Sequence, residues 1–334
     1  MRNRAKLQIT CLIILTLVLT SPSFSFDKPT HQDLNEKIAQ RTINSFSLDS
    51  YLIRELGIKE GVREILIANS DKKEILKWLG YGGFMEDEPE GYLRYPINAA
   101  RNNNHFHNPL ASPWSSAGFD KTIIIPGFLL PLHVFGQSSV LWAQNEAQHL
   151  GGKWSWQDAR KYFFEALTAV KKVDKDRAMA DTFRALGQVM HLIQDASVPA
   201  HTRNEIHRPF YHYETWLEKL RTDLQGAQTF QNLIASPIPF DPNILRQTDD
   251  PKARVPIANI VDTNSYSGSN PGVTAPPSQG LPALGLSEYT NANFFGESTV
   301  FKKFPYPSEK TSVSEGSWVI QDPRDKSRLV QRKY

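Results

Sequence analysis

One segment limits the fold more than any other. Between about Arg177 and Val198, the apolar residues Leu186, Val189, Met190, Leu192, Ile193 and Ala196 surround most of a helix, as expected at the centre of a mainly helical domain. Arg184, Gln188, His191 and Asp195 run along one line of that helix at spacings of four, three and four. Burying polar or charged groups without partners costs several kcal/mol, so something inside the protein must answer that line. Pro199 ends or kinks the helix near Val198.

The rest of the pattern supports a mainly α architecture. Thr30 and Asp33 read as a capping box opening a first helix through Leu34 and Ile38. Further helices are expected over 48–66 and 70–80, separated by Gly57, Gly61 and an Asn69-Ser70-Asp71 turn, and again over 138–150. A long loop rich in glycine, proline and asparagine is expected from Gly80 to Ser116, and residues 119–135 read as a buried connection in preference to an exposed flap that touches lipid or an apolar substrate portion. Ser155 and Asp158 cap a helix whose Ala159, Phe163, Ala166 and Val170 recur on one face, making Trp154, Trp156 and Tyr162-Phe163-Phe164 packing residues. Another helix is expected from Phe210 through Leu220. Beyond about 235, prolines and a serine-, glycine- and proline-rich stretch over 265–280 predict an irregular or partly β extension packed on the core.

Residues 1–25 have the form of a signal peptide. Arg2, Arg4 and Lys6 precede an apolar run from Ile9 to Leu19, and Ser23 and Ser25 suit a cleavage site before Phe26. The run is short for a hydrocarbon core of about 30 Å. Cleavage would remove the single cysteine, Cys11, and with it any disulfide or thiolate ligand. It would also reduce 38 basic residues to 35 against 35 acidic ones, a balance that argues against tight binding of long duplex nucleic acid. The expected organisation is a leader over 1–25, a helical domain over 26–235 and an extension over 236–334, in an exported monomer that is periplasmic or secreted.

His191 and Asp195 project from one helical face with side-chain origins about 5–6 Å apart. That suits two ligands of a zinc ion, which takes imidazole nitrogens and carboxylate oxygens at about 2.0–2.2 Å. His201 follows across the Pro199 bend and Glu214 lies on the next expected helix, giving His-x3-Asp-x5-His-x12-Glu. His31, Asp87, His105 and His107 add candidates, more than one zinc requires. His133 reads as a hydrogen-bonded core or loop histidine, and His149 as a helix-end cap before Gly151-Gly152.

Thr30-His31, Glu86-Asp87, His105-Phe106-His107-Asn108-Pro109, Ala185-Leu186-Gly187 with His191, Asp195, Pro199 and His201, and Tyr213-Glu214-Thr215-Trp216 together resemble the zinc-dependent phospholipase C and single-strand-specific nuclease superfamily. The resemblance runs from 26 to 220 and implies an exported helical domain holding three Zn2+ ions. It implies that Asp87, His105, His191 and Asp195 surround one zinc. Asp195 would bridge to a second, held by His31 and the backbone amine and carbonyl of Phe26. The spacing from Phe26 to His31 is more like the nucleases. His201 and Glu214 would hold the third zinc with a histidine one turn before the glutamate. That position is Phe210 here, so His207 is the first choice to replace it and His212 the second, about 200° round the helix from Glu214.

The implied reaction is phosphoester hydrolysis by a metal-bridging water, with Asp87 as orienter or general base. The substrate would be a phospholipid or another small phosphoester. The alternatives are single-stranded nucleic acid or a nucleotide, with Tyr81, Phe84, Tyr92 and Tyr95 as stacking platforms, and a non-catalytic helical protein with structural zinc. No obligate protein partner is evident. Glu288-Tyr289 and Asn291 to Phe294 are candidates to approach the cleft from the extension.

Overall fold

The computed structural model of the 334-residue chain describes residues 28–43, 46–88, 101–123, 131–148, 151–205, 257–264, 285–294, 317–321 and 329–333, with positions 218, 221, 222, 228, 266, 268 and 296. In chain order the elements are α1 (Lys28–Ala39), β1 (Thr42–Ile43), β2 (Phe46–Ser47), α2 (Leu48–Arg54), β3 (Ile65–Ala68), β4 (Asp71–Glu74) and α3 (Ile75–Met85), then β5 (Asp120–Ile123), β6 (Leu132–Phe135) and the single turn α4 (Ser139–Trp142). There follow α5 (Trp156–Thr168), α6 (Lys172–Asp195), α7 (Ile257–Val261), α8 (Leu286–Asn293), β7 (Ser317–Gln321) and β8 (Leu329–Lys333). The fold is mainly helical. Its strands form antiparallel pairs, and the described residues contain no larger sheet.

α6 is the central helix, five residues longer at its start than the apolar pattern alone indicates. It ends at Asp195, four residues before Pro199. It packs against α3 and α5, and α1 lies against α3. Leu52, Leu66, Ile75, Leu76, Trp78, Leu79, Met179 and Phe183 form the main apolar core between these helices and the β3–β4 hairpin. Two glycines set how closely α3 and α6 cross. A methyl group on Gly187 would fall 2.1 Å from the Leu79 carbonyl oxygen, and one on Gly82 would fall 2.1 Å from that of Arg184. The two backbones therefore meet directly. Asn35 of α1 ties the crossing together, its amide nitrogen donating to the carbonyls of Leu79 and Gly187, both at 3.1 Å.

Several expectations need correction. The helices expected over 48–66 and 70–80 give way to α2, a hairpin and α3. Gly57 and Gly61 adopt φ of 68° and 56° and stop helical continuation after Arg54. Ile65 to Ala68 then alternates outward and inward, and Asn69 and Ser70 both have positive φ, as a tight hairpin turn of mirror-image type requires. α1 already includes Lys28, so Thr30 lies buried within the helix rather than capping it. The loop expected from Gly80 starts after Met85, and the helix over 138–150 shrinks to α4. The Ser155–Asp158 capping box of α5 is present.

The connection expected to be buried is a surface hairpin of β5 and β6 in its described part, with Phe135 72% exposed. His133 is likewise exposed and bonds Asp120 across the strands at 2.6 Å, so it is no core histidine. Phe164 points to solvent rather than into the packing of α5. Described parts of the C-terminal third pack on the helices: α7 joins Val140 and Ala196 in a small apolar cluster, while Asn291 of α8 donates to the Thr202 carbonyl at 2.6 Å. Among the described residues, no helix is long and apolar enough to cross a membrane.

Candidate metal centre

Six of the expected ligands converge. α1 supplies His31, the residue after the α3 C-cap is Asp87, a short helical turn supplies His105, α6 supplies His191 and Asp195, and the turn after Pro199 supplies His201. All six are buried. Phe26, His207, His212 and Glu214 lie outside the described residues, as do His149, Tyr92 and Tyr95.

Asp195 stands at the middle. Its Oδ1 lies 3.4 Å from His31 Nε2, whereas its Oδ2 lies 3.0 Å from His105 Nδ1, 3.4 Å from His191 Nε2 and 3.7 Å from His201 Nδ1. Asp87 is divided too, with Oδ1 3.5 Å from His105 Nδ1 and Oδ2 3.7 Å from His191 Nε2. Among the described residues, two groups satisfy the spacing for a shared ion: His31, His191 and Asp195, and Asp87, His105 and His191.

Outer hydrogen bonds fix which ring nitrogens carry lone pairs. His191 Nδ1 is 2.7 Å from the Gly83 carbonyl, so it must donate, leaving Nε2 with the lone pair. His31 Nδ1 is 2.6 Å from Gln194 Oε1. The Gln194 amide nitrogen in turn donates to Asn35 Oδ1 at 2.7 Å, and the Asn35 amide is committed to two main-chain carbonyls. That chain leaves the His31 lone pair on Nε2 as well. Both lone pairs thus face carboxylate oxygens, a repulsive arrangement without positive charge between them. Both oxygens of Asp87 and of Asp195, both nitrogens of His105 and Nε2 of His191 are buried without an aligned hydrogen bond. Such crowding of unbonded donor atoms fits a bound cation.

The electrostatics of the metal-free chain lead to the same conclusion. Burial opposes charge on His105, but Asp195, Glu86 and Asp87 outweigh it and push the imidazole up to about 10. Burial likewise opposes charge on His191, and Asp195 and Asp87 raise it nonetheless. Burial pushes Asp87 up to about 6 against the neighbouring His191 and His105. Burial would also raise Asp195, yet His191, His201 and His105 hold it well below the ordinary carboxylate range. Burial dominates at His31, which is lowered well below 6.5, and at His201, lowered to about 4. The carboxylates thus favour positive charge at His105 and His191, where a bound cation would supply it.

Several supporting residues carry no assigned role in the sequence reading. Glu86 Oε1 lies 3.6 Å from His105 Nε2 and accepts from Trp142 Nε1 at 3.0 Å, while its Oε2 accepts from Arg101 at 2.6 Å. Arg101 also donates to Gln188 and Gln148 at 2.8 and 3.3 Å. Arg101 overcomes the effect of burial on Glu86 and lowers it to about 2. Gln194 and Asn35 orient His31. The spacing signal for Asn35 is its position one turn after His31; Glu86 and Gln194 directly precede Asp87 and Asp195.

His107 takes no part in the cluster. Its Nδ1 lies 2.7 Å from Ser138 Oγ and its Nε2 2.7 Å from Asp262 Oδ2. Burial would raise Asp262, but the contact with His107 holds it below its ordinary value. Glu288 of α8 accepts from the backbone nitrogens of Thr263, Tyr266 and Gly285, so it secures the loop after α7 rather than reaching the cluster.

No family model, curated protein or solved structure matches the chain. The residues and their geometry establish two buried histidine–aspartate groups compatible with metal coordination.

Proposed function

We propose that the chain is an exported zinc-dependent phosphoester hydrolase of the phospholipase C-like type. The observation that supports it is the aim of two lone-pair nitrogens, His31 Nε2 and His191 Nε2, at buried carboxylates. His191 offers one such nitrogen and can serve one ion, whereas Asp195 has an oxygen for each side. In this reading Asp195, Asp87, His105 and His191 would hold one zinc, and Asp195 with His31 and the Phe26 backbone would hold its neighbour. His201 belongs to a third, with Glu214 and His207, or His212 in its place. Zinc ions there would polarise a phosphoryl oxygen and lower the pKa of water to near neutrality.

The chain's own groups position and balance charge. Asp87 presents its two oxygens to two different imidazoles, so one can bind while the other accepts a proton. Glu86 lies behind His105 with Oε1 3.6 Å from Nε2, where it would orient the ring of a ligating histidine as carboxylates commonly do. A phospholipase C-like substrate is favoured over nucleic acid because Tyr81, one of the aromatics suited to base stacking, is already packed edge-on to Trp78 with Lys73 and Arg184 over its ring.

The test combines zinc content with hydrolysis of a soluble phosphorylcholine diester and of single-stranded DNA, before and after chelation and zinc return. Zinc-dependent cleavage of the diester is expected, and loss of both zinc and cleavage in His191→Ala. Faster cleavage of DNA would transfer the reading to a nuclease. Retained zinc with no phosphoester cleaved would leave a structural metal, and absence of zinc would end the proposal.

A further inference from the structure

The corner between α5 and α6 exposes an unusual concentration of apolar side chains. Phe164 is 66% exposed, Leu167 52%, Val173 64% and Val170 fully exposed. The arrangement follows from periodicity. Ala159 and Ala166 face the core, whereas Arg160, Phe164 and Leu167 follow at four and three residues along the opposite side of α5. Val170 lies in the turn and Val173 in the first turn of α6, extending the stripe around the bend. With all of its surface in solvent, Val170 marks a protrusion rather than a groove.

The charges around the protrusion are one-sided. Residues 160–177 contain six basic residues, all exposed, and three acidic ones. All three acids are engaged locally, Asp174 with Arg177 at 3.4 Å, Asp176 with Lys172 and Glu165 with Lys161 at 4.0 Å, which leaves Arg160, Lys171 and Lys175 outside these pairs. Lys171 and Lys175 flank the valines. This local excess contrasts with the balanced charge of residues 26–334, which contain 35 basic and 35 acidic side chains.

We propose that this corner docks on an anionic bilayer surface. A protruding apolar tip with a basic surround matches the boundary between acyl chains and phosphate headgroups, where apolar side chains insert and ammonium groups meet negative charge. A second copy of the chain is a poorer match, since a stable dimer uses roughly 20–30 residues a side. The inference is independent of the metal reading and holds whatever reaction the centre performs.

Sedimentation of the full chain with phosphatidylcholine vesicles, with and without about one third phosphatidylglycerol, tests it. Comparing the chain with Val170→Asp cancels any contribution from the N-terminal apolar run. Val170 makes no packing contribution that would endanger folding, and a Lys171→Glu, Lys175→Glu double variant probes the charge separately. Binding at least about tenfold tighter to the anionic vesicles is expected, falling with salt and falling about tenfold in each variant. Equal binding by chain and variants, or no preference for anionic vesicles, would overturn the proposal. So would a change from dimer to monomer in Val170→Asp without vesicle binding. Zinc content measured on the same samples separates this outcome from any failure of the metal centre.

Discussion

His105 and His107 stand two residues apart and are equally buried, yet they enter opposite kinds of polar cluster. His107 has each ring nitrogen 2.7 Å from a partner, Ser138 on one side and Asp262 on the other. His105 approaches Asp195, Asp87 and Glu86 without an aligned bond to any of them. The residue types are shared; what differs is whether the geometry closes. A closed network fastens the loop after α7 to the helical core, whereas an open one leaves ligand atoms pointed at a common space. Burial and residue type alone do not distinguish them.

The sharpest way to break this comparison is to remove one member from each side. His191→Ala should lower zinc affinity and phosphoester hydrolysis together by at least about a thousandfold, equivalent to about 4 kcal/mol. Dialysis against a zinc-buffered series with parallel turnover would read it. Unchanged zinc binding would mean that the open cluster is not a metal centre. His107→Ala should leave zinc content intact but cost about 3 kcal/mol in urea unfolding, because it leaves Asp262 Oδ2 buried without its partner. Loss of zinc in that variant would erase the distinction between the two clusters.

Glu86→Gln tests the layer behind His105 and should weaken zinc binding about tenfold to a hundredfold. It has a second readout in the metal-free chain. Because Glu86 is lowered from 4.5 to about 2, its stabilising contribution is present above about pH 4.5 and is lost as pH falls through about 2. Urea midpoints across that range should fall less steeply for Glu86→Gln than for the parent chain. The smallest effect is expected on the surface, where His133→Ala removes a solvent-exposed pairing with Asp120 and should change stability by less than about 1 kcal/mol.

The helical core and the polar line on α6 were legible because periodicity reports directly which face is buried. That line does not have a single answer. Arg184 lies between the rings of Tyr81 and Trp154, Gln188 accepts from Arg101, and only His191 and Asp195 reach the cluster. The β3–β4 hairpin was hidden because Ile65-Leu66-Ile67 is too short an apolar run to separate strand from helix; two positive φ values at Asn69 and Ser70 decided it. The partners of Glu86 and His107 were hidden for another reason. Arg101, Trp142 and Asp262 come from distant parts of the chain, and no local pattern announces such meetings. His31, Asp87 and His105 stood out as candidates by residue type and took their roles from the resemblance, although their convergence depends on three separate elements packing around α6.

The meeting of Gly82 with Gly187 has its own consequence for that convergence. Where two helices are held apart by side chains, replacing a leucine by a valine changes their separation. Here main chain rests on main chain, so there is no shim to swap. The span from Asp87 to His191 is inherited from peptide geometry, and core substitutions elsewhere can soften the domain without resizing the opening between those two residues.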